Sequence, residues 1–246
     1  MHHARASWQR ILGVYGLVCV VVFGVTRLEP IAGVGRYVQL LVAAIFLLAA
    51  IRLTRHDPVH YGLALGGLLT PSEDTRPVGP FGVLDLARAL AAAIPSAITE
   101  LGAALAVGAI VFPLYAAGYY WWWEPTRGFE LVLPPSFFSL ALAQLIVVAL
   151  PEEAFFRGYL QTALTDFVET RVRVLGVELA PAAWLLQGAL FALVHFVVEP
   201  HPARLAVFFP GLLFGWIRAW RGGVGAAVAL HAMSNLYSEI LARSWL

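Results

Sequence analysis

Lysine is absent from this chain of 246 residues, cysteine and asparagine occur once each, and charged side chains make up only 13% of it. Soluble domains carry about a quarter charged residues, so a water-bounded fold with 60% hydrophobic residues and a mean hydropathy of +0.78 is excluded. The lone Cys19 lies in the first apolar run, which rules out a disulfide framework and a thiolate metal centre. A net charge of +1 with no basic run gives no footing for nucleic acid. The expectation is an all-α polytopic membrane protein, one membrane domain over 1–246, in contact with the lipid bilayer.

Spanning helices need about 20 mostly apolar residues. The pattern predicts seven, over 9–26, 34–53, 93–118, 135–165, 181–199, 203–220 and 223–242. The first run follows Arg5 and Arg10 as a signal peptide would, but Thr26-Arg27-Leu28-Glu29-Pro30 offers no small-residue cleavage pattern, so it is expected to remain a helix. Residues 54–80 form the longest polar connection, and 81–92, with Asp85 and Arg88, are expected along the interface before helix three descends. Ten arginines fall on the N-terminal side and five opposite, which predicts a cytoplasmic N-terminus in a bacterial inner membrane. Tyr119 to Trp123 suit an aromatic belt.

Against this background three ionisable groups sit in "VVALPEEAFFRGYLQ". An unpaired charge at mid-bilayer costs about 2.5–3.5 kcal/mol, so Glu152, Glu153 and Arg157 together would cost roughly 8 kcal/mol. Glu153 and Arg157, at i and i+4, are expected to form an ion pair that fixes the helix. Glu152 points about 100° away and has no partner from its own turn, and Pro151 is expected to loosen or kink the backbone beside it. Only two of the seven histidines fall inside apolar spans: His195, one turn after Phe191, and His231, one turn before Asn235. Any one of these alone is ordinary interhelical glue; three helices that deliver such groups together predict a site.

A carboxylate beside a neutral imidazole can hold a water and accept its proton. A second imidazole and an amide can donate to an oxyanion, at about 2.7–4 kcal/mol per donor. That set describes a hydrolase. The alternative from the same residues is a zinc ion on Glu152, His195 and His231 whose bound water attacks, and the spacing leaves both open. Glu199 and His201 in "EPHP" read as a solvated turn rather than as further ligands, and Glu100 as a cap or interface group near the start of helix three.

The three motifs in order, Glu152-Glu153-x-x-x-Arg157, Phe191-x-x-x-His195 and His231-x-x-x-Asn235, resemble the CPBP intramembrane proteases, the Abi-type group that includes the type II CAAX prenyl endopeptidases. The resemblance covers about 135–240, the expected catalytic core; residues 1–130 carry no assignable motif. It implies a bundle of seven or eight membrane helices around a polar intramembrane cavity. Glu152 and His195 would activate water, His231 and Asn235 would stabilise the oxyanion, and Glu153, Arg157 and Phe191 would support them. The implied substrate is a membrane-associated protein or peptide, with no certain cofactor. Two other classes fit the composition: a non-catalytic bacteriocin-immunity or adaptor protein, and a small proton-coupled transporter, though no internal repeat supports the latter. Rise along opposed helices sets Glu152 and His195 apart by on the order of 10–15 Å. Helix five is therefore expected to lie deep or tilted, or the 197–205 connection to dip inward.

Overall fold

The computed structural model describes residues 7–64 and 83–245, with side chains in the second stretch from residue 91 onward. Its α-helices are α1 (Trp8–Thr26), α2 (Val38–Thr54), α3 (Val83–Trp123), α4 (Phe137–Thr165), α5 (Pro181–Val198), α6 (Phe208–Arg221) and α7 (Gly225–Trp245). Five of these regions are long and apolar enough to cross a membrane: α1, Gly35–Thr54, Ala91–Trp123 within α3, α4 and α5. The chain is an all-α integral-membrane protein. At 14 residues α6 is about 21 Å long, short of the ~30 Å hydrocarbon core, and it is sheltered by its neighbours.

Helix α3 differs from expectation. Residues 83–92 do not form a separate interfacial element but continue into one 41-residue helix that carries Pro95 and Pro113 within it. The Ala-rich run from Leu86 to Ala93 holds strong helix formers and no breaker. Residues 65–82, most of the expected polar connection, lie outside the described residues, as do Arg5, Arg76 and the side chains of Asp85 and Arg88. Between α4 and α5 the sequence "RVRVLGVEL" forms an unexpected hairpin, β1 (Val172–Val174) against β2 (Val177–Leu179). Its two-residue turn puts Leu175 and Gly176 at φ 50° and 83°, the left-handed pair that tight hairpins require.

Helix α4 is built around Pro151. The ring removes one ladder donor and crowds the carbonyl four residues back, and the helix responds with widened π-turns on both sides, Gln144–Ala149 and Ala154–Leu160. The Leu150 N–H reaches back to the Leu145 carbonyl and the Gln161 N–H to that of Phe156. Such bulges change which residues share a face and recur at functional sites.

The core lies between α1, α2, α4 and α5. Phe155 and Phe156 of α4 are fully buried and meet Phe46 of α2 at 5.4 and 5.6 Å between ring centres. Phe156 also meets Phe191 of α5 edge-on at 5.0 Å, the geometry aromatic quadrupoles favour. Gly158 admits α2's continuation, since a β-carbon there would come 2.9 Å from Leu63. At one end Trp8 touches Phe167, and at the other the Arg27 guanidinium donates to the Val198 carbonyl at 2.6 Å. Helix α1 thus spans the same slab as α5.

A polar cluster at the ends of two helices

Glu153 and Arg157 pair as their spacing predicts, at 2.9 Å and fully buried. The pair is not self-contained. Glu153 Oε1 also accepts from His231 Nδ1 of α7 at 2.8 Å, and Arg157 donates to the Gly211 carbonyl of α6 at 3.1 Å while its guanidinium lies 4.1 Å from the Phe191 ring centre. The Glu153–Arg157 pair therefore ties α4 to both α6 and α7, a role that the i,i+4 reading alone did not include. The Phe214 ring stacks on His231 at 4.9 Å and 16°, which fixes the plane of the imidazole.

Glu152 stands on the adjacent face. Its Oε2 is buried, has no hydrogen-bond partner among the described residues, and lies 3.9 Å from Nε2 of both His195 and His231. His195 Nδ1 is 2.8 Å from the Phe191 carbonyl. A carbonyl only accepts, so Nδ1 carries the proton, and in the neutral ring Nε2 presents a lone pair toward Glu152. A carboxylate and a lone pair cannot bond each other; a water donating one hydrogen to each satisfies both.

The expected depth mismatch between Glu152 and His195 disappears when both are measured from the end that α4 and α5 share. Glu152 stands thirteen residues before Thr165 and His195 fourteen after Pro181, about 20 and 21 Å along their axes. With 29 residues, α4 is about 43 Å long, so its midpoint is no guide to depth. Helix α5 ends three residues past His195, and the chain turns back through the 3₁₀ segment Pro202–Val207 into α6. The Glu199 N–H caps the turn on the His195 carbonyl at 3.0 Å. Glu199 accepts from Arg204, and this bond holds its carboxylate below the usual range. Glu199 and His201 serve the turn as expected, with the Ala203 N–H donating to His201 Nδ1 at 3.2 Å.

A cavity of about 180 Å³ reaches Glu152 and His195 between α1, α2 and α5. Its walls are apolar, with Val22, Phe46, Val194 and Val198, and the Glu199–Arg204 pair lines it too. The connection after α5 therefore does line the same space as Glu152.

Asn235 lies one turn beyond His231, and its Nδ2 donates to Gln144 Oε1 of α4 at 2.8 Å. Gln144, Gln161, Gln187 and Phe214 were not singled out from sequence. The glutamines carried the same signal as the histidines, amides inside apolar runs. Gln187 donates to the carbonyls of Gly211 at 3.1 Å and Trp184 at 3.0 Å, and Gln161 to that of Gly215 at 2.9 Å. The Gly211-x-x-x-Gly215 face of α6 allows this approach, since a β-carbon on Gly215 would stand 2.6 Å from Gln187 Nε2. Glu100 accepts from Arg221 at 2.9 Å and from the Ala226 N–H at 3.1 Å, and so caps α7.

One carboxylate and two imidazoles are donors of the type that zinc takes. Two ligands about 2.0–2.1 Å from a tetrahedral ion lie about 3.4 Å apart, against 3.9 Å here, and no group of three His, Cys, Asp or Glu is arranged for a metal among the described residues.

Residues 134–237 match the family model described as type II CAAX prenyl endopeptidase Rce1-like. That match shows the family resemblance. It spans α4 to α7 and every residue of the cluster, and it points to a CAAX-protease-type enzyme with a peptide substrate in a membrane. No curated protein and no solved structure matches the chain.

Proposed function

We propose that the Rce1-like chain is an intramembrane endopeptidase that hydrolyses a peptide bond of a membrane-associated protein or peptide. The observation that carries this reading is the buried, unpartnered Glu152 Oε2 equidistant from two imidazoles at the end of an apolar cavity. Glu152 and His195 Nε2 hold a water between them; the carboxylate takes its proton as the oxygen attacks the scissile carbonyl, and passes that proton to the leaving amine. His231, anchored at Nδ1 by Glu153, turns its Nε2 edge to the oxyanion, and Asn235 supplies an amide donor from the next turn. No step passes through a metal.

The test compares membranes that carry the wild type with membranes that carry Glu152→Gln, and follows the termini of endogenous membrane proteins by mass spectrometry. New termini should appear only with the wild type; identical termini in both would remove the peptidase reading.

A further inference from the structure

Helix α6 carries none of the three motifs, yet its carbonyls between Gly211 and Gly215 receive four side-chain donors from α4 and α5. Arg157 Nη2 and Gln187 Nε2 both donate to Gly211 at 3.1 Å, Trp184 Nε1 to Leu212 at 2.7 Å and Gln161 Nε2 to Gly215 at 2.9 Å. A helix carbonyl already accepts from the N–H four residues on, and its second lone pair takes these bonds. Together they fix where this one turn of α6 stands. Phe214 lies inside the clamp, buried in a cluster with Ile217, Ala227 and Leu230.

The Phe214 ring meets both partners of Glu153. It stacks on His231 at 4.9 Å and 16° and lies 5.3 Å from the Arg157 guanidinium. Phe191 of α5 meets the same imidazole edge-on, at 6.0 Å and 88°. An imidazole does not set its own plane, because the torsion between its sp³ and sp² carbons is broad. The bond from Nδ1 to Glu153 holds one edge and leaves the ring free to rock about it. Rocking would carry Nε2 out of its place 3.9 Å from Glu152. A parallel ring on its face and a second ring set edge-on resist that motion directly.

We infer that Phe214 is a positioning residue for the reaction: it acts through His231, holding the imidazole in the plane that aims Nε2 at the reacting atoms. Helix α6 then serves catalysis without supplying a reacting group. Side chains of α4 and α5 hold α6, α6 holds Phe214, and Phe214 holds the imidazole. The benefit to turnover rests on the peptidase reading; the orientation of His231 rests on the stack alone.

The test separates orientation from packing. Phe214→Leu removes the ring and keeps an apolar side chain; Phe214→Tyr keeps the ring; Ile217→Ala removes packing from the same cluster but no ring. A misplacement of about 1 Å can cost about 100-fold in rate, so Phe214→Leu should lower kcat by about 10- to 100-fold. Its KM should stay within about twofold of the wild type, because no group that binds substrate is lost. Phe214→Tyr should restore most of kcat, and Ile217→Ala should lower stability in detergent and leave kcat near that of the wild type. The second readout needs no substrate. In full-length protein carrying ¹³C-histidine in micelles, the His231 ring protons, assigned by their loss in His231→Gln, should give one set of signals shielded by the stacked ring. Phe214→Leu should move them downfield and broaden them, and Ile217→Ala should leave them in place. Unchanged His231 signals in Phe214→Leu, or an equal loss of kcat in Ile217→Ala, overturns the positioning role. If the signals move as expected but Glu152→Gln leaves all termini unchanged, the peptidase reading fails and the hold of Phe214 on His231 stands.

Discussion

Glu153 and His231 are joined at 2.8 Å, Oε1 to Nδ1, across two helices, and the same oxygen accepts from Arg157 at 2.9 Å. One buried carboxylate thus orients an imidazole and neutralises a guanidinium. Removing one member of a buried charge pair costs about 3–5 kcal/mol, because the other is left uncompensated. Glu153→Ala and Arg157→Ala should each lower thermal stability in detergent by that order, and the double variant by clearly less than the sum. Additive losses would mean the two act independently.

Gly215→Ala should destabilise the protein by about 1–3 kcal/mol, the usual cost of overpacking, because its β-carbon would fall 2.6 Å from Gln187 Nε2 and 2.9 Å from Gln161 Oε1. Gly13→Ala in α1 is the contrast, since nothing lies within 4 Å of its β-carbon, and alanine is the better helix former by about 0.5–1 kcal/mol. Chemical denaturation of both variants checks the difference in sign.

Below the carboxylate range the turn after α5 should loosen. The Glu199 carboxyl is held low by the bond from Arg204, so the pair is intact above the ordinary carboxylate value and is lost as pH falls through the depressed one. Amide hydrogen exchange at 201–207, corrected for intrinsic rates, should quicken in acid, and Arg204→Ala should show the same quickening at neutral pH. Equal protection in both conditions would count against the pair as a clasp.

Turnover should survive chelation. The proposed mechanism carries the proton on Glu152 and routes no step through a metal ion. Activity assayed after dialysis against a strong zinc chelator should equal that of untreated protein, and recovery only on adding back zinc would reverse the assignment.

Much of this architecture was legible in the pattern of apolar runs. Each of the seven expected runs holds a helix, and the first five are long and apolar enough to cross, because a bilayer imposes length and composition on a crossing. The three motifs put Glu152, Glu153, His195 and His231 together, since ionisable groups in hydrocarbon must find one another. What was hidden depended on relations between helices. The expected bounds 135–165 and 181–199 already made α4 longer than a span and ended α5 beside His195, but the end from which both must be measured shows only once the two helices are seen side by side. The Glu153–His231 bond crosses 78 residues, and the Gln144–Asn235 bond 91. The hairpin at 172–179 escaped notice because its strands are three residues long, too short for a period to register.

The π-turns flanking Pro151 have a consequence for how this helix tolerates change. Each holds one residue more than an ordinary turn of the same height, so a single-codon deletion between Gln144 and Ala149 can be absorbed by reversion to regular winding. The half bearing Glu152, Glu153 and Arg157 would keep its internal geometry, and Gln144 its facing toward Asn235. The two halves of α4 are thus mechanically separable, with the joint already built into the chain.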